Sequence, residues 1–135
     1  MTGTQFQYFV PTKIMFGQGQ VKKLHTCKLP GKKALIVITS GKSTREYGYL
    51  DIVEQELTLA KVDYAIFDQV ASNPVVQNII DGAAMAKEQN CDFIIGLGGG
   101  SPIDASKAIA LMATNEGELW DYISMMALLL DLFFV

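Results

Sequence analysis

Three short apolar runs, each followed by a helical pattern, constrain the fold of this chain more than any other feature. The runs occupy residues 34–38, 62–67 and 92–96. The first is continuous and rich in β-branched side chains, which is typical of a strand covered on both faces. Strands that alternate with helices at this spacing predict βαβ units. We therefore expect an α/β fold with a parallel sheet flanked by helices.

Each apolar run is followed by signals for the start of a helix. Residues 43 and 46 have capping-box spacing, and apolar residues follow them at steps of three or four. The Asn73-Pro74 pair predicts an N-cap and a first helical residue for the second helix. Ser101 predicts the N-cap of a third helix, which should run to about residue 112. The apolar stripe expected on the second helix consists of Val76, Ile79, Ile80, Ala83 and Ala84.

The first thirty residues differ from this α/β body. Residues 6–10 and 13–16 predict a short β edge pair, and residues 17–29 are only weakly helical. A chain of 135 residues is long enough for one domain and too short for two ordinary ones. No internal repeat or low-complexity linker divides it, so we expect a single domain over residues 1–123.

The charge, histidine and cysteine counts exclude several functions. Eleven basic against fourteen acidic residues give a net charge of −3, which leaves no basic surplus for nucleic acid. One histidine, His25, and two cysteines, Cys27 and Cys91, cannot assemble a metal centre of several imidazoles or thiolates. No secretory leader or membrane span is predicted, and reduced, packed cysteines are expected. These observations predict a cytoplasmic protein with no membrane partner.

A glycine-rich loop, residues 98–101, separates the third apolar run from the third helix. Three consecutive glycines are unfavourable for the backbone unless something requires the absence of Cβ atoms. A phosphate bound by N–H groups at a helix N-terminus is such a requirement, and a tight turn without a ligand is the alternative. The loop matches neither the Walker A motif nor the dinucleotide fingerprint. The residues themselves therefore indicate a phosphate-bearing ligand at the carboxyl edge of a parallel sheet.

The stretch GGGSPIDASK, residues 98–107, resembles the nucleotide-binding signature of the iron-containing (group III) alcohol dehydrogenases. Phe67-Asp68, Asn73-Pro74, the entry FGQG at residues 16–19 and ELWDY at residues 118–122 match the same family in order and spacing. Glycerol dehydrogenases and dehydroquinate synthases share related glycine loops. The resemblance implies a Rossmann-like, dehydroquinate synthase-like N-terminal domain, and the helical C-terminal domain of the family is expected to be absent.

The resemblance also implies that a nicotinamide dinucleotide binds across this edge of the sheet. The glycine loop would contact the pyrophosphate with Asp104 nearby, Asn73 would lie beside the adenosine, and the turn at residues 40–43 would face the adenosine ribose. The cofactor-binding residues expected on this basis are Gly41, Ser43, Asn73, Gly99, Gly100, Ser101 and Asp104.

The turn at residues 40–43 bears on the choice of dinucleotide. Sites for NAD usually place a carboxylate on the ribose 2′-hydroxyl, whereas a 2′-phosphate requires donors or positive charge instead. This turn contains no acid, and it offers Lys42 and Ser43, with Arg45 close behind. The residues therefore predict NADP(H) in preference to NAD(H).

Members of the resembled family are NAD(P)-dependent oxidoreductases that transfer hydride between the cofactor and a primary alcohol or aldehyde. A metal such as Fe²⁺ polarises the alcohol oxygen, and an aspartate and three histidines of the second domain hold it. None of these ligands can be placed on this sequence, so no catalytic or metal-binding residue is expected. The chain alone should be incomplete and inactive, and His25 is expected to be partly exposed near a helix end.

Residues 124–135 depart from the family pattern, since only Ser124 and Asp131 among them are polar. A frame-shifted or prematurely ended terminus is the favoured interpretation, ahead of a helix packed on the surface that a second domain would cover or an interfacial anchor. A stand-alone nucleotide- or phosphate-binding module without catalysis, or a glycerol dehydrogenase-like relative, is the alternative function. A homo-oligomer could form through the N-terminal edge strand or through this apolar tail.

Overall fold

The computed structural model describes residues 7–122, which form a three-stranded parallel sheet with helices on both faces. Strand β1 (Lys33–Thr39) lies in the centre, between β2 (Asp63–Val70) and β3 (Phe93–Gly96). The three strands coincide with the three apolar runs, so the predicted parallel α/β architecture is confirmed. The helices are a 3₁₀ helix (Gln20–Thr26), α1 (Ser43–Glu46), α2 (Tyr49–Leu59), α3 (Val76–Glu88) and α4 (Gly100–Thr114).

Strand β1 is buried because it contributes to the core on both sides of the sheet. Leu35 and Val37 pack in a cluster with residues of α3 and α4. Ala34, Ile36 and Ile38 alternate with them and pack in a second cluster with residues of α2. Side chains alternate between the two faces of a strand, so a continuous apolar run is the pattern that a doubly covered strand requires.

The N-terminal segment differs from its prediction. Residues 7–16 contain no strand, so the described part of the predicted edge pair does not form. A two-stranded pair is marginal unless one face packs on other elements, and Tyr8, Phe9, Ile14 and Phe16 are each more than 80% exposed. Residues predicted to be weakly helical contain the 3₁₀ helix. Residues 124–135 lie outside the described residues.

The helix predictions are correct in position but wrong in four details. The first helical pattern is divided into α1 and α2 by Gly48, which has a φ of +72° that favours glycine. Helix α3 is preceded by Val75 at the N-cap position, not by Asn73, and its buried residues include Gly82 and Ala86 instead of the predicted Ile80 and Ala84. Gly99, not Ser101, is the N-cap of α4.

Helix α3 begins late because an amide side chain organises the loop before it. The Asn78 Oδ1 accepts a hydrogen bond from the Val75 N–H at 3.2 Å, and its Nδ2 donates to the Gln69 carbonyl at 3.0 Å. The first bond satisfies the backbone N–H of the N-cap residue, and the second ties the first turn of α3 to β2. Within residues 7–122, no helix has the length and apolar content needed to cross a membrane.

Candidate functional site

A cleft of about 640 Å³ lies at the carboxyl edge of the sheet, between the ends of β1 and β3. The Ser40 N–H donates to the Val70 carbonyl at 2.9 Å, and the Leu97 N–H donates to the Val37 carbonyl at 3.0 Å. These bonds bring the loops after all three strands to one edge. In the strand order β2-β1-β3, the chain adds β2 on one side of β1 and then crosses over to add β3 on the other side. The switch point of the topology therefore lies between β1 and β3, which is where open parallel sheets bind ligands. The lining residues are Thr39, Ser43, Thr44, Tyr47, Tyr49, Ser72, Leu97, Gly98, Gly99, Gly100, Ser101 and Pro102.

The three glycines of the loop have different structural roles. Gly98 has a φ of +138°, and a Cβ placed on it would lie 2.8 Å from Cγ of Pro102, so the fold itself requires glycine there. Gly99 and Gly100 have no positive φ, and a Cβ placed on either would meet no atom within 4 Å. The fold therefore does not require glycine at these two positions. Their missing side chains leave the backbone open toward the cleft.

The N-terminus of α4 faces the same cleft through Gly100, Ser101 and Pro102. The first N–H groups of a helix have no partner within the helix, and they carry a partial positive charge that favours anions. The Ser101 hydroxyl donates to the Ser72 carbonyl at 2.7 Å, so it joins the start of α4 to the loop after β2. Ser101 thereby holds two walls of the cleft together.

The structure brings together four of the seven predicted cofactor-binding residues. Ser43, Gly99, Gly100 and Ser101 line the cleft. Gly41 and Asn73 lie in loops next to lining residues and do not line the cleft themselves. Asp104 is exposed outside the lining, and its Oδ1 accepts a bond from the Lys107 Nζ at 3.2 Å.

Sequence reasoning overlooked the residues that other elements contribute to the cleft. Tyr47 is one of the apolar residues whose spacing of three or four predicts the first helix, yet its side chain is 71% exposed. The signal available in the sequence was topological, because loops that follow parallel strands meet at one edge of the sheet. Besides Gly98 of the predicted glycine loop, the lining residues that were not predicted are Thr39, Thr44, Tyr47, Tyr49, Ser72, Leu97 and Pro102.

An ion pair lies on the β2 side of the cleft. The Arg45 Nη2 donates to the Asp68 Oδ2 at 2.7 Å, and both side chains are about half exposed. This carboxylate comes from β2, 23 positions along the chain from Arg45, so the sequence of the turn at residues 40–43 does not reveal it. The pair neutralises both charges, whereas Lys42 forms no ion pair with any residue of the described range 7–122.

His25 and Glu56 form a separate pair that joins the 3₁₀ helix to α2. The His25 N–H donates to the Glu56 Oε2 at 3.0 Å, and the His25 Nδ1 lies 2.6 Å from the same oxygen. The backbone and side-chain hydrogen bonds from His25 hold the pKa of the Glu56 carboxyl below its usual value. His25 is partly exposed in a helix, as the sequence predicts.

The described residues do not fit a metal site. Residues 7–122 contain no group of three or more His, Cys, Asp and Glu side chains that could hold an ion. Cys27 and Cys91 are free, and burial raises the pKa of the Cys91 thiol. A buried thiol with a raised pKa is a poor nucleophile at neutral pH.

The parallel sheet, the flanking helices and the cleft at the strand switch point define a Rossmann-like α/β domain. A family model described as "Iron-containing alcohol dehydrogenase" matches residues 11–132. The chain therefore belongs to the iron-containing alcohol dehydrogenase family, and it corresponds to the N-terminal Rossmann-like domain of that family.

Individual relatives support this assignment. The chain is 38% identical over 119 residues to the probable NADH-dependent butanol dehydrogenase 1 of Bacillus subtilis (strain 168), and the match covers 88% of this chain and 31% of the relative. It is 38% identical over 124 residues to the 1,3-propanediol dehydrogenase of Citrobacter freundii, covering 90% and 32%. A crystal structure of the NADH-dependent butanol dehydrogenase A of Thermotoga maritima matches with a TM-score of 0.77 and 30% identity, covering 87% and 30%. The chain thus spans about a third of the length of these relatives.

Proposed function

We propose that this chain is the cofactor-binding domain of a metal-dependent alcohol dehydrogenase and that its cleft binds a nicotinamide dinucleotide. One observation carries the proposal: the fold has no need for glycine at positions 99 and 100, yet both residues are glycine. Phosphate oxygens that approach backbone N–H groups at a helix N-terminus supply such a need. The pyrophosphate would therefore lie against Gly99, Gly100 and the first turn of α4.

The remaining predicted residues have supporting roles in this proposal. Ser43 lines the cleft after β1. In this proposal Ser43 and Gly41 would face the adenosine ribose. Ser101 fixes the loop through Ser72 and leaves its backbone N–H for the phosphate. Asn73 follows the lining residue Ser72 and would lie beside the adenosine, whereas Asp104, outside the lining, would lie near the pyrophosphate. In a complete enzyme the bound dinucleotide would exchange hydride with a primary alcohol or aldehyde.

The family implies a divalent metal such as Fe²⁺, and the described residues of this chain do not fit one. The role proposed for this domain is accordingly to bind and orient the dinucleotide. Hydride transfer to or from a primary alcohol or aldehyde belongs to a complete enzyme about three times this length, as its relatives are. On this proposal the 135-residue chain binds cofactor and turns over no substrate.

We further propose that the cleft prefers NADP(H) to NAD(H). Asp68 is already paired with Arg45, so its charge is neutralised instead of being presented to a ribose hydroxyl. Lys42 follows Gly41 and stands free of ion pairs within residues 7–122, which makes it the cation for a 2′-phosphate. Two relatives are named for NADH. The preference proposed here rests instead on this chain's own Lys42 and on its Arg45–Asp68 pair.

Fluorescence titration of NADPH and NADH into the 135-residue chain tests both proposals. We expect saturable binding of both, with the lower dissociation constant for NADPH. Lys42→Ala should weaken NADPH at least about tenfold and leave NADH unchanged, since a bond to a charged group contributes about 1.5–3 kcal/mol. Lys87→Ala, in the last turn of α3, is the matched control. Tighter binding of NADH by the wild type would contradict the preference, and absence of saturable binding would contradict the cofactor proposal.

A further inference from the structure

The charges of this chain are segregated along the sequence. Residues 1–45 contain eight Lys and Arg side chains and no Asp or Glu, whereas all fourteen acidic residues lie in residues 46–135. The net charge of −3 does not show this division, because eleven basic residues offset most of the acids. When folding brings charges of one sign onto one surface, that surface attracts partners of the opposite charge.

The amino edge of the sheet, where the strands begin, carries a basic patch on the side of α2. At this edge the Asp63 N–H donates to the Lys32 carbonyl at 2.8 Å. The 3₁₀ helix lies close by, because His25 contacts Glu56 near the end of α2, shortly before β2 begins. The basic patch consists of five exposed side chains, Lys22, Lys23, Lys28, Lys32 and Lys61.

The same edge carries an acidic patch on the side of α3 and α4. Helix α3 ends at Glu88, and the Asp92 N–H donates to the Lys33 carbonyl at 2.7 Å, which holds this loop at the amino edge. Helix α4 returns from the carboxyl edge, and Leu119 after it packs in the same cluster as Ala86 of α3. The acidic patch consists of five exposed side chains, Glu88, Asp92, Glu116, Glu118 and Asp121.

Neither patch is neutralised by ion pairs within the molecule. None of these ten side chains takes part in an ion pair with another residue of the range 7–122. Apart from the His25–Glu56 pair, the basic side contains one acid, Asp63, and the acidic side contains one cation, Lys87. Each side of the amino edge thus carries five charges of one sign and one of the other.

A second copy of the chain can match both patches at once. A two-fold axis along the amino edge, in the plane of the sheet and perpendicular to the strands, places each basic patch against the acidic patch of the other copy. Complementary charges of this kind steer association and fix its register. A separate polyanion would match the basic patch alone and would be repelled by the acidic patch beside it. Trp120, 58% exposed between Glu118 and Asp121, adds a side chain of the type that contributes most to interfaces.

We propose that the amino edge of the sheet is an interface between two copies of this chain, in which the basic patch of each copy binds the acidic patch of the other. The cofactor cleft lies at the opposite, carboxyl edge and stays open in this dimer. The interface differs from the N-terminal edge strand and the apolar tail expected from the sequence, because its stability depends on charge and therefore falls with salt.

Sedimentation velocity of the 135-residue chain tests this interface. We expect a dimer whose dissociation constant rises at least about tenfold between ~0.1 M and ~1 M NaCl, because the Debye length falls from about 10 Å to about 3 Å. Reversing either patch, with K22E/K23E or with E116K/E118K, should weaken the dimer at least about tenfold at low salt, since like charges then meet in both contacts. K42E/K107E makes the same change in net charge as K22E/K23E, away from the amino edge, and is the matched control.

An equimolar mixture of the two reversed variants gives the sharpest test. Each variant is repelled by its own copies, but in a mixed pair every reversed patch meets a patch of opposite charge. Mixing should therefore restore the dimer, which also shows that both variants are folded. Failure of the mixture to dimerise overturns the proposal. A wild-type chain that is monomeric at low salt overturns it as well, and so does a dimer that persists unchanged at high salt. None of these results bears on cofactor binding, which the NADPH titration measures separately.

Discussion

At the scale of single residues, the glycine loop separates what a sequence can predict from what it cannot. The triplet of glycines identifies a special backbone segment, and its place between a strand and a helix locates that segment at the sheet edge. The sequence cannot tell which glycine serves the fold, because φ and the distance to Pro102 arise only in the folded chain. The structure assigns that role to Gly98 and leaves Gly99 and Gly100 unconstrained.

This division predicts that neighbouring glycine substitutions differ in how strongly they lower the stability of the fold. Gly98→Ala places a Cβ at a φ of +138° and 2.8 Å from Pro102, so it should lower the free energy of unfolding by roughly 1–3 kcal/mol. Gly99→Ala should change it by less than about 0.5 kcal/mol, as an exposed substitution does. Urea unfolding of both variants measures this directly. Equal stability of the two variants would show that the loop conformation is not the one described.

At the scale of elements, the 3₁₀ helix is attached to α2 through the buried Glu56. The sequence predicted only weak helicity for residues 17–29, because a short 3₁₀ segment has little intrinsic preference. Its attachment depends on a contact between His25 and Glu56, which are 31 positions apart. Local patterns carry no information about such a contact. The same limit applies to residues 7–16, whose strand prediction had no packing partner to depend on.

The Glu56 contact predicts a pH dependence of stability. The pKa of Glu56 is lowered in the folded chain from a usual value of 4.5, so the folded state favours its ionised form. The resulting stabilisation is present above pH 4.5 and is lost as the pH falls through the folded pKa. Glu56→Gln should therefore be less stable than the wild type at pH 7, and the difference should narrow on acidification. Urea unfolding of both proteins measures this. If the free energies of unfolding of the wild type and of Glu56→Gln differed by the same amount at pH 7 and at pH 4, the result would contradict this prediction.

At the scale of the whole molecule, the chain is a Rossmann-like domain whose strands, order of elements and sheet edge follow from its apolar runs. The cleft was only partly predictable, since four of its twelve lining residues were named from the sequence. The others reach the cleft because β1, β2 and β3 end at one edge, which is a property of the assembled sheet. The chain spans about a third of its relatives, so catalysis is proposed for the longer enzyme.

The central claim is that the open glycines bind a dinucleotide, and the most direct test is the NADPH dissociation constant of loop variants. Gly99→Ala and Gly100→Ala each add a Cβ where no atom lies within 4 Å, so both should unfold close to the wild-type temperature. Each should weaken NADPH at least about tenfold, a loss of about 1.4 kcal/mol. Wild-type affinity in both variants would contradict the claim, because the open backbone would then serve no ligand.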